Sequence, residues 1–436
     1  MGQGLKLARA PIQARGLATV RRAIDAAIEL LDEQGDAPLH LLDVTARSGV
    51  SNGSLMHHFG TRDGLVAAAL ATRSDRAAVE RVRLFNDLSS SPERIGPALA
   101  SMLLATGKAE RAAARRARFR ALAFARHRPE LRAALIESFR TVEQELALRI
   151  AVGQAAGIVV DGLSSSALAV FSDSYAVGRL IEGTLLDPLP EEEWEALFLA
   201  VLGAIVPQSV IDSTRSAGVV VREPLPPARC IRPTIPTLAL PDAERAVIDH
   251  AIEHLGAQSE DSLLVRTVCV ATGVTRAWFS RHLGGREELL DLARLDLLIA
   301  GSCAEAALYE QAFDEAMSVE QLHATLARVV RRSDSPSFRA SAWARLDLLI
   351  AAPGRGRLTE DAGTVVRAAL ARTTDAIAGA QQRGIVRADV TARAVARFLW
   401  GYPLAFLLGD LAEVSGPDLH ELAERTLATL TPDGTR

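Results

Sequence analysis

The amino-acid sequence reads as an all-α protein built from two copies of one helical unit in tandem. Three observations carry that reading. Apolar residues recur at spacings of three and four through most of the chain, the period of an amphipathic helix, while the alternation of a half-buried strand is rare. Aromatic residues are only 4% of the 436, and Ala and Leu are abundant, a composition that suits helix better than sheet. The third observation is internal. Shifted by 224 positions, residues 21–70 meet residues 245–294 without a gap and agree at 17 of 50 positions, where chance at average composition gives about three or four.

Identical pairs include Ile24/Ile248, Asp25/Asp249, Ala27/Ala251, Val44/Val268, Gly49/Gly273, Val50/Val274, His58/His282, Arg62/Arg286 and Leu65/Leu289. The likeness resumes at an offset of 227, where Gly157-Ile158-Val159 meets Gly384-Ile385-Val386, and Phe171, Tyr175 and Leu180 meet Phe398, Tyr402 and Leu407. The second copy has gained a net three residues, and the halves share an ancestor. Between them, residues 207–240 hold Pro207, Pro224, Pro226, Pro227, Pro233 and Pro236 with little helical period, the composition of an extended linker.

Taken in order, the chain opens on a basic arm. Residues 1–16 carry Lys6, Arg9 and Arg15, and the first acidic residue is Asp25, so a protein of net charge -4 offers local positive charge to an anionic partner. No apolar run of signal-peptide length follows, and the longest apolar stretches, such as 196–206, are too short to span a bilayer. Cys230, Cys269 and Cys303 lack the spacing of a disulfide framework or a zinc motif and suit a reducing, cytoplasmic setting. With 49% apolar and 23% charged residues, a disordered or collagenous chain is excluded.

Residues 17–65 form the first compact unit. A helix over 20–34 ends at Gly35, and a short helix over 41–48 stops at Gly49, a residue free to take the left-handed conformation that closes a helix. Ser51 then N-caps a third helix over 52–59, with Thr275 in the same role in the second copy. Two short helices joined by a tight turn containing Gly make a helix-turn-helix. The third helix is short enough to lie in one major groove, with Asn52, Ser54 and His57 outward and Val50, Leu55 and Phe59 inward. Residues 66–206 continue as a helical body with long helices over 98–127, 131–155, 164–186 and 191–206. Beyond the linker, 241–289 repeats the helix-turn-helix. Residues 290–431 repeat the body, with helices over 319–332, 336–351, 358–383, 391–412 and 417–430.

The run Gly49-Val50-Ser51-Asn52-Gly53-Ser54-Leu55-Met56-His57-His58-Phe59, then Thr61-Arg62-Asp63-Gly64-Leu65, resembles the signature of the TetR/AcrR family of bacterial regulators. The stretch from Gly273 to Leu283 with Arg286-Glu287-Glu288-Leu289 resembles it again. The resemblance implies two TetR-like units, each a helix-turn-helix domain followed by a ligand-binding and dimerisation domain. It covers about fifty residues per half, and the bodies fit the family in length and pattern only. It implies DNA contacts from His40, Ser51, Asn52, Ser54, His57 and Arg62 in the first half, and from Arg266, Thr275, Arg276, Trp278, Arg281 and Arg286 in the second. Arg62 and Arg286 would meet phosphates. The sequence also departs from the family. Met56 and Ser280 stand where an aromatic, most often Tyr, binds a phosphate, Leu283 replaces a Phe, Trp278 replaces a small residue, and Leu264 and His40 replace a capping hydroxyl.

Residues 108–132 hold nine basic and two acidic residues, read as a solvated face of the body, with an anionic effector site as the alternative. Phe119, Phe124, Trp343 and Tyr402 are candidates to line an apolar effector cavity, ordinary core being the alternative for each. Adjacent His57 and His58 diverge on a helix and form no metal site. No phosphate loop or Ser-His-acid set stands out, so the chain is read as no enzyme, with no cofactor. The expectation is a cytoplasmic, effector-responsive regulator, a repressor, that acts as a covalent pseudo-dimer on an asymmetric duplex operator and has no membrane partner. The alternative is a ligand-binding or scaffolding protein of the same fold in which one or both reading heads are degenerate.

Overall fold

The computed structural model describes residues 14–34, 39–88, 119–168 apart from 124 and 127, 179, 181–207, 211, 232–258, 262–412 apart from 353, 414, and 416–432. The arm before residue 14, Phe124, most of the linker and the greater part of the helices expected over 98–127 and 164–186 lie outside those residues. The described residues are helical, with no strand among them beyond one isolated bridge between Glu182 and Leu186. None of their helices is long and apolar enough to cross a membrane.

Four helices open the first half: α1 (Ala14–Gln34), α2 (Leu41–Ser48), α3 (Asn52–Phe59) and α4 (Arg62–Leu88). Its body adds α5 (Pro129–Ala155) and α6 (Glu191–Leu202). The second half begins with α7 (Asp242–Ala257), α8 (Val265–Thr272), α9 (Arg276–Leu283) and α10 (Arg286–Glu315). It continues with α11 (Val319–Arg331), α12 (Pro336–Ala351), α13 (Gly356–Gln382), α14 (Ala392–Gly401), α15 (Pro403–Ala412) and α16 (Gly416–Ala428).

The head of each half closes on its own small core. On α1, Ala23, Ala26, Ala27, Leu30 and Leu31 are buried, the three-and-four spacing of one helix face, and they meet Val44, Leu55 and Leu65. Val247, Ile248 and Ala251 of α7 do the same against Val268, Phe279 and Leu289. Ion pairs tie α1 to its neighbours: Arg47 to Glu33 at 2.7 Å, Arg76 to Asp25 at 2.6 Å and Arg73 to Asp32 at 2.8 Å. The second head uses Arg245, at 2.6 Å from Asp296.

The bodies share one continuous apolar core. It runs from Phe119, Leu146 and Trp194 in the first half to Leu346, Val366 and Leu430 in the second. Each body carries the same closing turn. Gly157 and Gly384 take φ of 70° and 73°, and the side-chain amides of Gln154 and Gln381 donate to equivalent carbonyls, Val160 and Leu163 in one half and Arg387 and Val390 in the other. Close approaches join the halves. A side chain on Gly363 would stand 2.9 Å from the Leu185 carbonyl oxygen, so α13 and the 185 region pack backbone against backbone. Arg126 reaches Asp347 at 3.4 Å and lies 5.1 Å from the ring centre of Trp343. The last stretch before α7 is pinned to the second body. Arg232 pairs with Asp314 at 2.6 Å and Asp375 at 2.8 Å, and Ile235 enters the core.

The helix expected over 391–412 is broken in two at Pro403, which lacks the N–H that would close the ladder onto Leu399. The hydroxyl of Tyr309 donates to that carbonyl at 3.1 Å, and Arg345 donates to the next one, of Trp400. Arg345 is 1% exposed, stacks 3.9 Å over the Trp400 ring and pairs with buried Glu305 at 2.5 Å.

Candidate nucleic-acid interface

The turn before each third helix is built alike. Gly49 and Gly273 take φ of 67° and 73°, the left-handed region that stops α2 and α8. Ser51 and Thr275 then accept hydrogen bonds from the backbone N–H of Ser54 at 3.3 Å and Trp278 at 3.1 Å. Those caps satisfy orphan donors and set the angle at which α3 and α9 leave the turn.

On α3, Leu55 is 1% exposed and anchors the helix, while Asn52, Met56 and His57 are exposed and Ser54 is half-buried. His58 turns partly inward, its ring edge-on to Phe59. On α9, Phe279 and Leu283 anchor, and Arg276, Ser280 and Arg281 are exposed. His40 and Arg266, at the start of α2 and α8, are exposed beside these surfaces. Neither His40 nor Leu264 caps its helix with a side-chain hydrogen bond.

Trp278 occupies a different environment from its neighbours. Half-buried against the head's core, it stacks on His282 at 4.5 Å with the planes 15° apart, and His282 in turn lies 3.1 Å from Glu244. Most of the indole is committed to packing inside the head.

Arg62 and Arg286 open the fourth helices, and each is held by the acid that follows it. Arg62 lies 3.0 Å from Asp63, and Arg128, just before α5, reaches the other Asp63 oxygen at 3.1 Å. Burial pushes the Asp63 carboxyl up, but hydrogen bonds and charge from Arg62 and Arg128 outweigh it and hold it below the ordinary aspartate value. In the second half Arg286 lies 2.6 Å from Glu287 and donates to the Leu263 carbonyl at 3.0 Å. Arg355, just before α13, pairs with Glu287 at 2.8 Å and Asp291 at 2.5 Å. Arg128 and Arg355 stand 227 positions apart, the offset at which the bodies repeat. In both halves one arginine at the mouth of a long body helix clasps the acid beside the head's fourth-helix arginine.

Reasoning from the sequence missed these two arginines, because an arginine ahead of a helix N-terminus is unremarkable until its partner is known. The signal that finds them is their equivalence at the repeat offset. Arg126 and Arg128, read as part of a solvated basic face, are instead engaged in ion pairs with Asp347 and Asp63. Of the aromatic effector candidates, Phe119 and Tyr402 are buried in the shared core and Trp343 sits at its edge against Arg126. Tyr402 packs on Phe398 and Phe406, and burial drives its hydroxyl well above the ordinary tyrosine value.

Residues 23–69, from the middle of α1 into α4, match the family described as bacterial regulatory proteins, tetR family. This head is a TetR-family N-terminal helix-turn-helix domain. Two curated relatives, the HTH-type transcriptional repressor Rv3405c of Mycobacterium tuberculosis and the HTH-type transcriptional regulator Mb3439c of Mycobacterium bovis, are 34% identical over 87 residues. That match takes in 19% of this chain and 44% of each relative, so the chain spans less than half the length of the relatives it matches. Among solved structures, a TetR-family transcriptional regulator from Rhodococcus sp. aligns with 45% of this chain and 99% of its own, at 24% identity and a TM-score of 0.34. A gamma-butyrolactone receptor (ArpA like protein) aligns with 46% of this chain and 94% of its own, at 21% identity and a TM-score of 0.30.

Proposed function

We propose that the protein is an effector-responsive transcriptional repressor whose two halves are two TetR-like units. They act as a covalent pseudo-dimer on one asymmetric DNA operator. The observation that carries the reading is the pair of heads built alike, with the same glycine turn, the same hydroxyl cap and the same clasped fourth-helix arginine, on bodies that share one core. Two-fold proteins place two recognition helices about one helical turn apart on DNA, and a fused pair supplies both from one chain. The name of the Mycobacterium tuberculosis relative supports repression as the sign of regulation.

In this reading Ser51, Asn52, Ser54 and His57 face one half-site, and Thr275, Arg276 and Arg281 face the other. Arg62 and Arg286 meet phosphates, while His40 and Arg266 flank the grooves. A small-molecule effector bound in either body alters the spacing of the heads and releases DNA. Selection of bound duplexes from a random pool, followed by mobility shift at two salt concentrations, tests the reading. It predicts one bipartite site, and the absence of any selected sequence contradicts it.

One arrangement favours a second reading, a ligand-binding or scaffolding protein whose second head no longer reads DNA. Trp278 is turned into the head, and Arg286 is held by the Leu263 carbonyl and Glu287. Selected sites confined to a single half-site would favour it.

A further inference from the structure

One patch of the contact between the two bodies is one-sided in charge, while the Arg126–Asp347 pair elsewhere in it runs the other way. The first half contributes Glu182 and Glu193, whose side chains are 5% and 3% exposed. The second half contributes Thr391, Arg393 and Arg397. Arg397 donates through Nη1 to Glu182 Oε1 at 2.5 Å and to the Asp187 carbonyl at 2.7 Å. The same Glu182 oxygen accepts from the indole N–H of Trp194 at 2.9 Å and the backbone N–H of Leu189 at 3.1 Å, which fixes its position. Arg393 donates through Nε to Glu193 Oε2 at 2.7 Å and through Nη2 to the other oxygen, while the Thr391 hydroxyl donates to Oε2 at 2.6 Å. Burial pushes the Glu193 carboxyl up, yet Arg393, Thr391 and the charge of Arg397 hold it below the ordinary glutamate value.

The internal repeat shows what a symmetric interface would contain. At the offset of 227, Glu182 and Glu193 correspond to Gly409 and His420, and Thr391, Arg393 and Arg397 correspond to Ser164, Ser166 and Val170. His420 points into its own half, at 3.2 Å from Ser333 and 3.3 Å from Asp334. None of these five positions has a counterpart able to return the ion pair. A two-fold interface uses each contact twice, so a pair of first halves would offer Ser166 and Val170 at the sequence positions of Arg393 and Arg397, leaving Glu193 without its arginine and Glu182 with only Arg179 of its own half, 3.5 Å away and already paired with Glu191. A pair of second halves would set both arginines against Gly409 and His420. Stripping a buried charge of its partner is strongly unfavourable, and such penalties select among partners; here the penalty falls on Glu182, Glu193 and Arg397, since the Arg393 side chain is 47% exposed and can be solvated.

We propose that the acidic face around Glu182 and Glu193 and the basic face around Arg393 and Arg397 form a heterotypic recognition pair, so that each body accepts only the unlike body. The proposal rests on the reading of the two bodies as a fused subunit pair. Through this face the chain forms neither like–like dimers nor mixed dimers with single-unit regulators.

The test uses the full chain with a protease site inserted within residues 212–231, cut after folding and allowed to re-equilibrate in mild denaturant before native mass spectrometry. The expected spectrum holds one first half with one second half, exceeding like–like pairs by about a hundredfold. A chain carrying Glu182→Arg, Glu193→Arg, Arg393→Glu and Arg397→Glu, isotopically labelled, cut and mixed with the wild type, is expected to keep its halves to itself. If that variant fails to fold, the milder Glu182→Gln, Glu193→Gln chain serves, and its preference for unlike pairs is expected to fall at least tenfold. Like–like pairs from the wild type, free exchange between the wild-type and reversed sets, or an unchanged preference in the glutamine chain would overturn the charge selection. Cut halves that separate into single species would overturn the fused-pair reading itself. No DNA enters the experiment, so its outcome stands apart from DNA binding.

Discussion

Removing the acid that clasps Arg62 should strengthen DNA binding, which is the opposite of what most substitutions in a DNA-binding head do. Arg62 shares Asp63 with Arg128, at 3.0 and 3.1 Å, and the Arg62 and Asp63 side chains are 44% and 32% exposed. A pair that exposed is worth at most about 1 kcal/mol. Asp63→Asn frees Arg62 for a phosphate and should tighten binding by no more than roughly fivefold. The dependence of log K on log salt should steepen by up to about 0.9, the slope of one added phosphate contact. Arg128→Ala does the reverse: Asp63 is left to neutralise Arg62 alone, and binding should weaken by roughly two- to fivefold. The double variant should bind like Asp63→Asn. Fluorescence anisotropy on one duplex at 50 and 200 mM salt would read all three, with thermal unfolding alongside to separate charge from stability. Weaker binding or an unchanged salt slope in Asp63→Asn would refute the electrostatic clasp.

Three further outcomes follow from the same geometry. Ser51→Ala and Thr275→Ala each remove an N-cap bond, at 3.3 and 3.1 Å, and should cost about 1 kcal/mol of stability in thermal or denaturant unfolding. Asn52→Ala and Arg276→Ala should relax specificity on opposite sides of the selected site by about 1–3 kcal/mol if each contact is bidentate, adenine on the first side and guanine on the second; loss on the same side would contradict the assignment of heads to half-sites. The Glu193 carboxyl lies below its ordinary value of 4.5 in the folded protein, so its contribution to stability is complete above that value and fades as pH falls through the folded value. Between pH 5 and 3 the wild type should therefore lose unfolding temperature faster than Glu193→Gln, and parallel curves would count against the pairing of the buried Glu193 carboxylate with Arg393.

The heads were legible in the sequence because their determinants are local. The three-and-four spacing on α1 and α7, glycine at 49 and 273, and a hydroxyl two residues later act within a few residues of themselves. The body helices were legible as periods but not at their breaks. The apolar period runs on through Pro403, yet a proline removes the N–H owed to Leu399, and the helix splits where Tyr309 and Arg345 stand ready to take the freed carbonyls. Trp278 falls on the groove-facing register of α9, but a side chain that large finds apolar surface and a stacking partner in His282. The clasping arginines and the Glu193 and Glu182 pairs join residues 64 to 215 positions apart, and no local pattern marks them. Only the repeat offset relates Arg128 to Arg355, and it also exposes the absence of any such relation in the charged face between the bodies.

The most direct test of the central reading is the stoichiometry of the protein on its selected DNA, measured by native mass spectrometry or sedimentation together with footprinting of the same complex. Two fused reading heads predict one 46.5 kDa chain per duplex, protecting two unlike half-sites on one face of the helix. Two chains on a perfect palindrome, each touching DNA through residues 52–57 alone, would contradict it.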